Sequence, residues 1–193
     1  MKCFVCTRFS LTPICKTCLS NLTPTPSSRT LECGLKVYSF YHYSDVEFLL
    51  HLKYEVIGSK ILSALSRVCA HYFNTNNELP EPILAVGLDD EPRGYYSHTA
   101  VIVREFTKII HNLYPTYNAL IATNRVSYAG KSLEFRKNNP RNFIYKAKKH
   151  TTKNAILFDD IITTGLSLQE ACACLQKSGI NTLFALTLAN ARL

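Results

Sequence analysis

Asp159 and Asp160 sit between an apolar run, Ala155-Ile156-Leu157-Phe158, and the turn Thr163-Thr164-Gly165-Leu166-Ser167. The run reads as a buried strand, the two carboxylates end it, and the turn opens a helix. Leu168, Ala171, Cys172 and Leu175 repeat at the spacing of one buried helical face, with Lys177 in the last turn and Gly179 just beyond. Such a turn of small hydroxyl residues and glycine presents unpaired backbone N–H groups at a helix N-terminus, a cradle for phosphate. The carboxylates would repel that phosphate. They suit sugar hydroxyls or a hydrated Mg²⁺ instead. A sugar phosphate satisfies both halves; the competing reading is a buried strand and a capped helix with no ligand.

Cys3-x-x-Cys6 and Cys15-x-x-Cys18 are separated by eight residues. Each pair can set two thiolates on one tetrahedral ion, so the two knuckles make a Cys₄ zinc site. Zinc binding of this type is worth roughly 10–16 kcal/mol in small peptides, enough to fold a segment with almost no core. Two disulfides are the alternative. With the first pair beginning at residue 3, no secretory signal is expected before it, and a reducing compartment favours zinc. Cys33, Cys69, Cys172 and Cys174 are scattered and read as packing residues.

The net charge of +8 is unevenly spread. Arg125, Lys131, Arg136, Lys137, Arg141, Lys146, Lys148, Lys149 and Lys153 face Glu134 alone, with Tyr128, Phe135, Phe143 and Tyr145 interleaved. Positive charge tracks a phosphate backbone while aromatic faces stack on unpaired bases, as single strands are often held. A solvated basic surface with its aromatics turned inward accounts for the pattern equally well.

These groups need a frame. A chain of 193 residues suits one sizeable domain and a small appendage. No stretch approaches the roughly 20 apolar residues of a membrane span. Pro24-Thr25-Pro26-Ser27-Ser28 reads as a linker, Lys36–Tyr43 as a strand, and Ser44 with Glu47 as a capping box opening a short helix through Lys53. Helical spacing covers Ser59–Phe73 and Ser97–Leu113, the latter halted by Pro115; Asn74–Pro82 reads as a loop. Ile83–Val86, Ala119–Ala122 and Thr182–Leu188 read as strands, and Ser132–Lys137 as a short helix. Strands alternating with helices predict a mostly parallel sheet covered on both faces, with ligands at the carboxyl ends of its strands.

The Asp-Asp-Ile-Ile-Thr-Thr-Gly run resembles the phosphoribosyl-pyrophosphate (PRPP) loop of type I phosphoribosyltransferases. A zinc knuckle before such a domain is similar to the ComF family, linked to DNA uptake in naturally competent bacteria. Leu52-Lys53-Tyr54, Arg93-Gly94-Tyr95, Arg136-x-x-Asn139-x-x-Asn142-Phe143 and Ala189 resemble further family elements. Departures cluster at the pyrophosphate end. Ala85-Val86-Gly87-Leu88 replaces a Val-Pro-Val-Pro strand, Tyr96 replaces an asparagine, Ala129-Gly130 stands near a missing glutamine, and Asp89-Asp90-Glu91 add three carboxylates.

The resemblance implies a knuckle and linker over residues 1–34 and an α/β, type I phosphoribosyltransferase-like domain over residues 35–193. It implies that the backbone of Ile162, Thr163, Thr164, Gly165, Leu166 and Ser167 holds a 5-phosphate. Asp159 and Asp160 would take the ribose hydroxyls, Mg²⁺ would accompany PRPP, and Lys53 and Arg93 are pyrophosphate candidates. No residue stands out as catalytic base, and His42, His51, His71, His98, His111 and His150 are read as structural or surface. The expected function is PRPP and single-stranded DNA binding during natural transformation, with DNA contacts from Arg125, Lys131, Arg136, Lys137, Arg141, Lys146, Lys148 and Lys149. The protein is expected in the cytoplasm, at the inner face of the membrane only through DNA-uptake partners docked on the knuckle. The alternative is a working transferase that attaches ribosyl phosphate to a base.

Overall fold

The computed structural model describes residues 1–89, 91–92, 94–124, 126, 128, 130–146 and 152–191; Arg93, Arg125, Lys148 and Lys149 lie outside them. In chain order the elements are α1 (Lys16–Ser20), β1 (Ser27–Thr30), β2 (Lys36–His42), α2 (Tyr43–His51), a 3₁₀ turn (Leu52–Tyr54), α3 (Gly58–Asn76), β3 (Ile83–Gly87) and α4 (His98–Ile109). Then come β4 (Leu113–Thr116), β5 (Leu120–Ala122), α5 (Leu133–Asn138), β6 (Phe143–Tyr145), β7 (Asn154–Ile162), α6 (Leu166–Lys177) and β8 (Asn181–Asn190).

Six strands form one sheet in the order β1-β2-β8-β7-β3-β4, parallel throughout except for β1 against β2. The mostly parallel sheet is as expected. Alternating side chains of its central strands feed two cores. Ala85, Ile156 and Phe158 pack with Val46 and Leu49 of α2, Leu62 and Leu65 of α3, and Phe106 of α4. Leu84, Val86 and Leu157 pack on the opposite face with Leu168, Ala171 and Leu175 of α6. Fully burying an apolar side chain of this size contributes about 1.5–3 kcal/mol, so the central strands hold both layers. Among the described residues no helix is long and apolar enough to cross a membrane.

The differences from expectation are local. Ser27–Thr30, placed in the linker, pairs with β2 as an edge strand. α2 starts two residues earlier than expected, with His42 at the N-cap, so Ser44 falls inside the first turn and its hydroxyl meets Asp45 rather than capping the helix. α3 runs on to Asn76. α4 stops at Ile109; Asn112 takes φ 63° and Leu113 then starts β4, an edge strand where Pro115 withholds no ladder bond that a neighbour needs. β7 continues through both aspartates to Ile162, because β8 pairs with it as far as Asn190. Ser97 and Ser132 cap α4 and α5, accepting from the N–H of Ala100 at 3.1 Å and of Phe135 at 3.2 Å.

β5 and β6 make a separate antiparallel pair whose connection carries α5. Side-chain carboxylates from both sides tie this lobe to the main sheet's layers. Glu170 of α6 accepts the Arg141 N–H at 2.7 Å, and Asp89 accepts the Ala122 N–H at 3.1 Å.

Candidate functional site

β3 pairs with β7 only as far as Phe158, whereas β8 follows β7 to Ile162. Beyond Phe158 one edge of β7 is therefore open, and a cleft of about 740 Å³ lies there. Its lining joins Lys53 and His98 from the α2–α4 layer, Asp159, Asp160 and the turn Thr163–Ser167 from β7–α6, and Tyr128, Arg136 and Arg141 from the β5–β6 lobe. A cleft at the carboxyl end of parallel strands is where such sheets place ligands.

The turn is built for its bend. Gly165 stands at the N-cap of α6 with φ 83°, a left-handed value that glycine adopts without strain, and an added Cβ would come within 2.6 Å of the Leu31 side chain. Two arginines hold Thr163 from different sides. Arg29 donates to its carbonyl, and Arg136 Nη1 donates to its hydroxyl at 2.6 Å. Thr164 Oγ1 accepts weakly from the Leu166 N–H at 3.4 Å. Ile162 remains in the ladder, its carbonyl accepting from Ala191.

The two acids are not equivalent. Asp160 is buried and its Oδ2 accepts from Lys53 Nζ at 2.7 Å, with His98 Nδ1 at 3.6 Å. Burial alone would raise its carboxyl, but Lys53 and His98 outweigh burial and hold it well below the usual range. The Lys53 ammonium is raised in turn, burial being overcome by Asp160. Asp159 is half-buried on the cleft floor; burial first and the Asp160 charge second push its carboxyl up to about 8. Adjacent carboxylates rarely ionise together, and here the ammonium decides which one does.

Lys53 itself is braced. Tyr96, the residue in place of the expected asparagine, donates its hydroxyl to the Lys53 carbonyl at 2.5 Å. Gly58 lets α3 start against this segment: a Cβ there would stand 2.3 Å from Leu52 O, 2.5 Å from Tyr96 Oη and 2.7 Å from Lys53 Cα. Gly58→Ala is expected to destabilise the chain by about 1–3 kcal/mol, as overpacking does. It should weaken ligand affinity too, because Lys53 must shift; thermal melting and calorimetry on the variant measure both. Equal melting temperatures would show that α3 yields freely.

His98, read as structural or surface, lines the cleft, with Tyr54 and Tyr96 rings 5.5 and 5.2 Å away. Its position at the start of a Ser-capped helix was the available signal. Arg29 carried none, being an arginine in an apparent linker. Asp89 turns one carboxylate oxygen to the Ala122 N–H at 3.1 Å, with φ 47°. Of the basic candidates, Arg136 and Arg141 face the cleft, while Lys131, Lys137 and Lys146 are exposed. Lys131 lies over the Phe135 ring at 5.3 Å.

Cys3, Cys6, Cys15 and Cys18 form a second site. Their sulfurs all lie within 4.8 Å of one another, and Cys6 and Cys15 are 3.8 Å apart. Four Zn–S bonds of about 2.3 Å in a tetrahedron set sulfurs about 3.8 Å apart, so the donor set fits such an ion. Burial would raise the Cys3 thiol, but N–H groups of Cys15, Cys6 and Val5 outweigh it and bring it down to about 6. Cys3, Cys18 and Ile14 pack into the same core as Phe40 and Leu50, so the module is joined to the α2–α3 layer.

Among solved structures, the chain is similar to a hypoxanthine phosphoribosyltransferase from Staphylococcus aureus, at 14% identity and a TM-score of 0.40. The match covers 67% of this chain and 62% of that one, so less than two thirds of that protein's length is spanned. No protein-family model and no curated protein matches the sequence.

Proposed function

We propose that the cleft binds PRPP with Mg²⁺, phosphate-first against the turn Thr163–Ser167 and ribose over Asp159. The observation that carries this is one cleft with an N–H cradle at one end and a carboxylate–lysine cluster at the other. PRPP places a phosphate, a diol and a pyrophosphate in that order. Among the described residues Lys53 would face the pyrophosphate, and Asp160, its partner at 2.7 Å, would be a carboxylate able to hold the accompanying Mg²⁺. The Cys₄ module holds structural zinc, which in this role supplies no chemistry to the cleft.

The second element of the proposal is single-stranded DNA binding in the cytoplasm during natural transformation. Lys131, Lys137 and Lys146 support it, as exposed cations of the β5–β6 lobe, together with the resemblance of nearly the whole chain to ComF proteins. A working transferase is the rival reading. It is favoured by Asp159, whose carboxyl at about 8 could accept or return a proton beside a sugar.

Calorimetry with PRPP and Mg²⁺ tests the first element. Affinity should rise with pH up to about 8, because a ligand that takes Asp159 as carboxylate displaces its proton. Asp159→Asn with Asp160→Asn should weaken binding about a hundredfold, and a wild type that ignores PRPP would end the reading. For DNA, reversing Lys131, Lys137 and Lys146 should shallow the salt dependence of oligonucleotide affinity by about 2 in log–log slope. An unchanged slope removes these lysines from the interface. Pyrophosphate release with any acceptor base would move the conclusion to the transferase.

A further inference from the structure

Cys33, expected to pack, is exposed, whereas Cys69 is fully buried. It stands at the tip of the hairpin that joins β1 to β2. The Leu31 N–H donates to the Leu35 carbonyl and the Gly34 N–H to the Leu31 carbonyl, both at 2.9 Å. Gly34 takes φ 83°, a left-handed value that lets the chain reverse within these few residues.

This hairpin touches the turn Thr163–Ser167 at two points. Arg29 of β1 donates to the Thr163 carbonyl, and the Leu31 side chain fills the space beside Gly165. Leu31 is buried with Leu168, Ala171 and Leu175 of α6, in the core that Cys172 flanks. At the tip, the Cys33 side chain comes against the Cys172 thiol. The other thiol of α6 is engaged elsewhere: Cys174 donates to the Phe143 carbonyl at 3.3 Å. Two positions along a helix is a rotation of about 200°, so only one of these cysteines can face the hairpin. Cys33 and Cys172 are both free thiols.

We propose that Cys33 and Cys172 form a reversible disulfide when a hydroperoxide oxidises them, fastening the β1–β2 hairpin to α6 and fixing Arg29 and Leu31 against the turn Thr163–Ser167. The exposed Cys33 thiolate attacks one peroxide oxygen, the O–O bond breaks, and Cys33 becomes a sulfenic acid while an alcohol leaves. The Cys172 thiolate then attacks the Cys33 sulfur, the S–O bond breaks, and water leaves as the S–S bond forms. Two thiols have given up two electrons; their protons end on the alcohol and the water. A small dithiol reverses the bond by exchange. Disulfides in a reducing compartment are usually transient and redox-sensing, which suits one sulfur open to solvent beside one half-buried. Burial first, and the facing Cys33 thiol after it, push the Cys172 thiol up, so the second step should quicken as pH rises. Cys3 and Cys18 belong to the opposite core, which keeps the two thiol systems separate. The proposal stands whatever ligand the cleft takes.

The test uses the full-length, zinc-loaded protein, treated with about one equivalent of hydrogen peroxide under conditions where zinc content is unchanged. After alkylation and tryptic digestion, mass spectrometry should find the Cys33 peptide joined to the Cys172 peptide, two hydrogens lighter than their sum. The link should vanish in Cys33→Ser and in Cys172→Ser and persist in Cys174→Ser. It should form faster at pH 9 than at pH 7. A cross-link that closes so long a loop should raise the melting temperature by about 5 °C or more. Hydrogen exchange at Thr163–Ser167 should slow on oxidation, return with dithiothreitol, and stay unchanged throughout in Cys33→Ser. No joined peptide, or one that joins Cys33 to Cys174 or to a second copy of Cys33, would overturn the pairing. A Cys33–Cys172 link that leaves exchange at the turn unaltered would overturn the fastening.

Discussion

Lys53→Met is expected to melt well below the wild type at pH 7. The ammonium lies 2.7 Å from Asp160, and the two side chains are only 10% and 13% exposed. Removing one partner strands a buried carboxylate, which costs about 3–5 kcal/mol in comparable pairs. For a chain of this length each kcal/mol moves the melting temperature by about 2–4 °C, so a drop on the order of 10 °C should be seen. The sign with pH follows from the direction of the shift. Asp160 is held below its ordinary carboxyl value, so the pair's contribution is present above the unfolded pKa of about 3.9 and is lost as pH falls through the folded value. In the variant the stranded carboxyl is raised by burial and takes up a proton more readily, so its deficit should shrink between pH 7 and pH 5. Lys53→Met with Asp160→Asn should recover most of the loss. Melting curves of the three proteins at both pH values decide it; a single variant as stable as wild type would mean that His98 and water suffice for Asp160.

The same pair shows where a sequence stops being readable. Lys53 and Asp160 are 107 positions apart, and Arg29 and Thr163 are 134 apart; only the sheet order brings them together. What could be read was local. An apolar run, a glycine in a bend and helical spacing after it are properties of neighbouring residues, and the turn and α6 are found where those properties put them, while β7 runs on past its apolar run to Ile162 because β8 pairs with it. Ser97 and Ser132 announced their helices because capping is a contact three residues long. Pro115 misled for the same reason. Read locally it stops a helix, but the chain had already left α4 at Ile109, and the edge of the sheet, a tertiary property, accommodates it in β4. Arg136 was legible as charge and illegible as direction. Sequence counts cations, whereas Tyr128 and Thr163 decide which way this one points.

Removing metal from the Cys₄ module should have the largest effect of all. The free energy that structural zinc contributes in small peptides is about 10–16 kcal/mol, more than most domains possess in total. α1 has five residues and its cap residue makes no side-chain bond, so little else holds this segment. Yet Cys3, Cys18 and Ile14 are buried in the core that contains Phe40, Tyr41 and Leu50, and Tyr41 donates to the Leu22 carbonyl at 3.0 Å. Loss of the ion therefore cannot stay confined to the knuckle. One zinc per chain is expected by elemental analysis, falling to near zero in Cys15→Ser and Cys18→Ser. Chelation should lower the melting temperature by 10 °C or more, on the order set by several kcal/mol in a chain of this length. PRPP affinity at a temperature where the chelated protein remains folded should change little, because Ile162 and Leu168, on either side of the turn Thr163–Ser167, belong with α6 to the opposite core. Metal retained in the serine variants would place the ion elsewhere. Sensitivity to reductant instead of chelator would make the four sulfurs two disulfides.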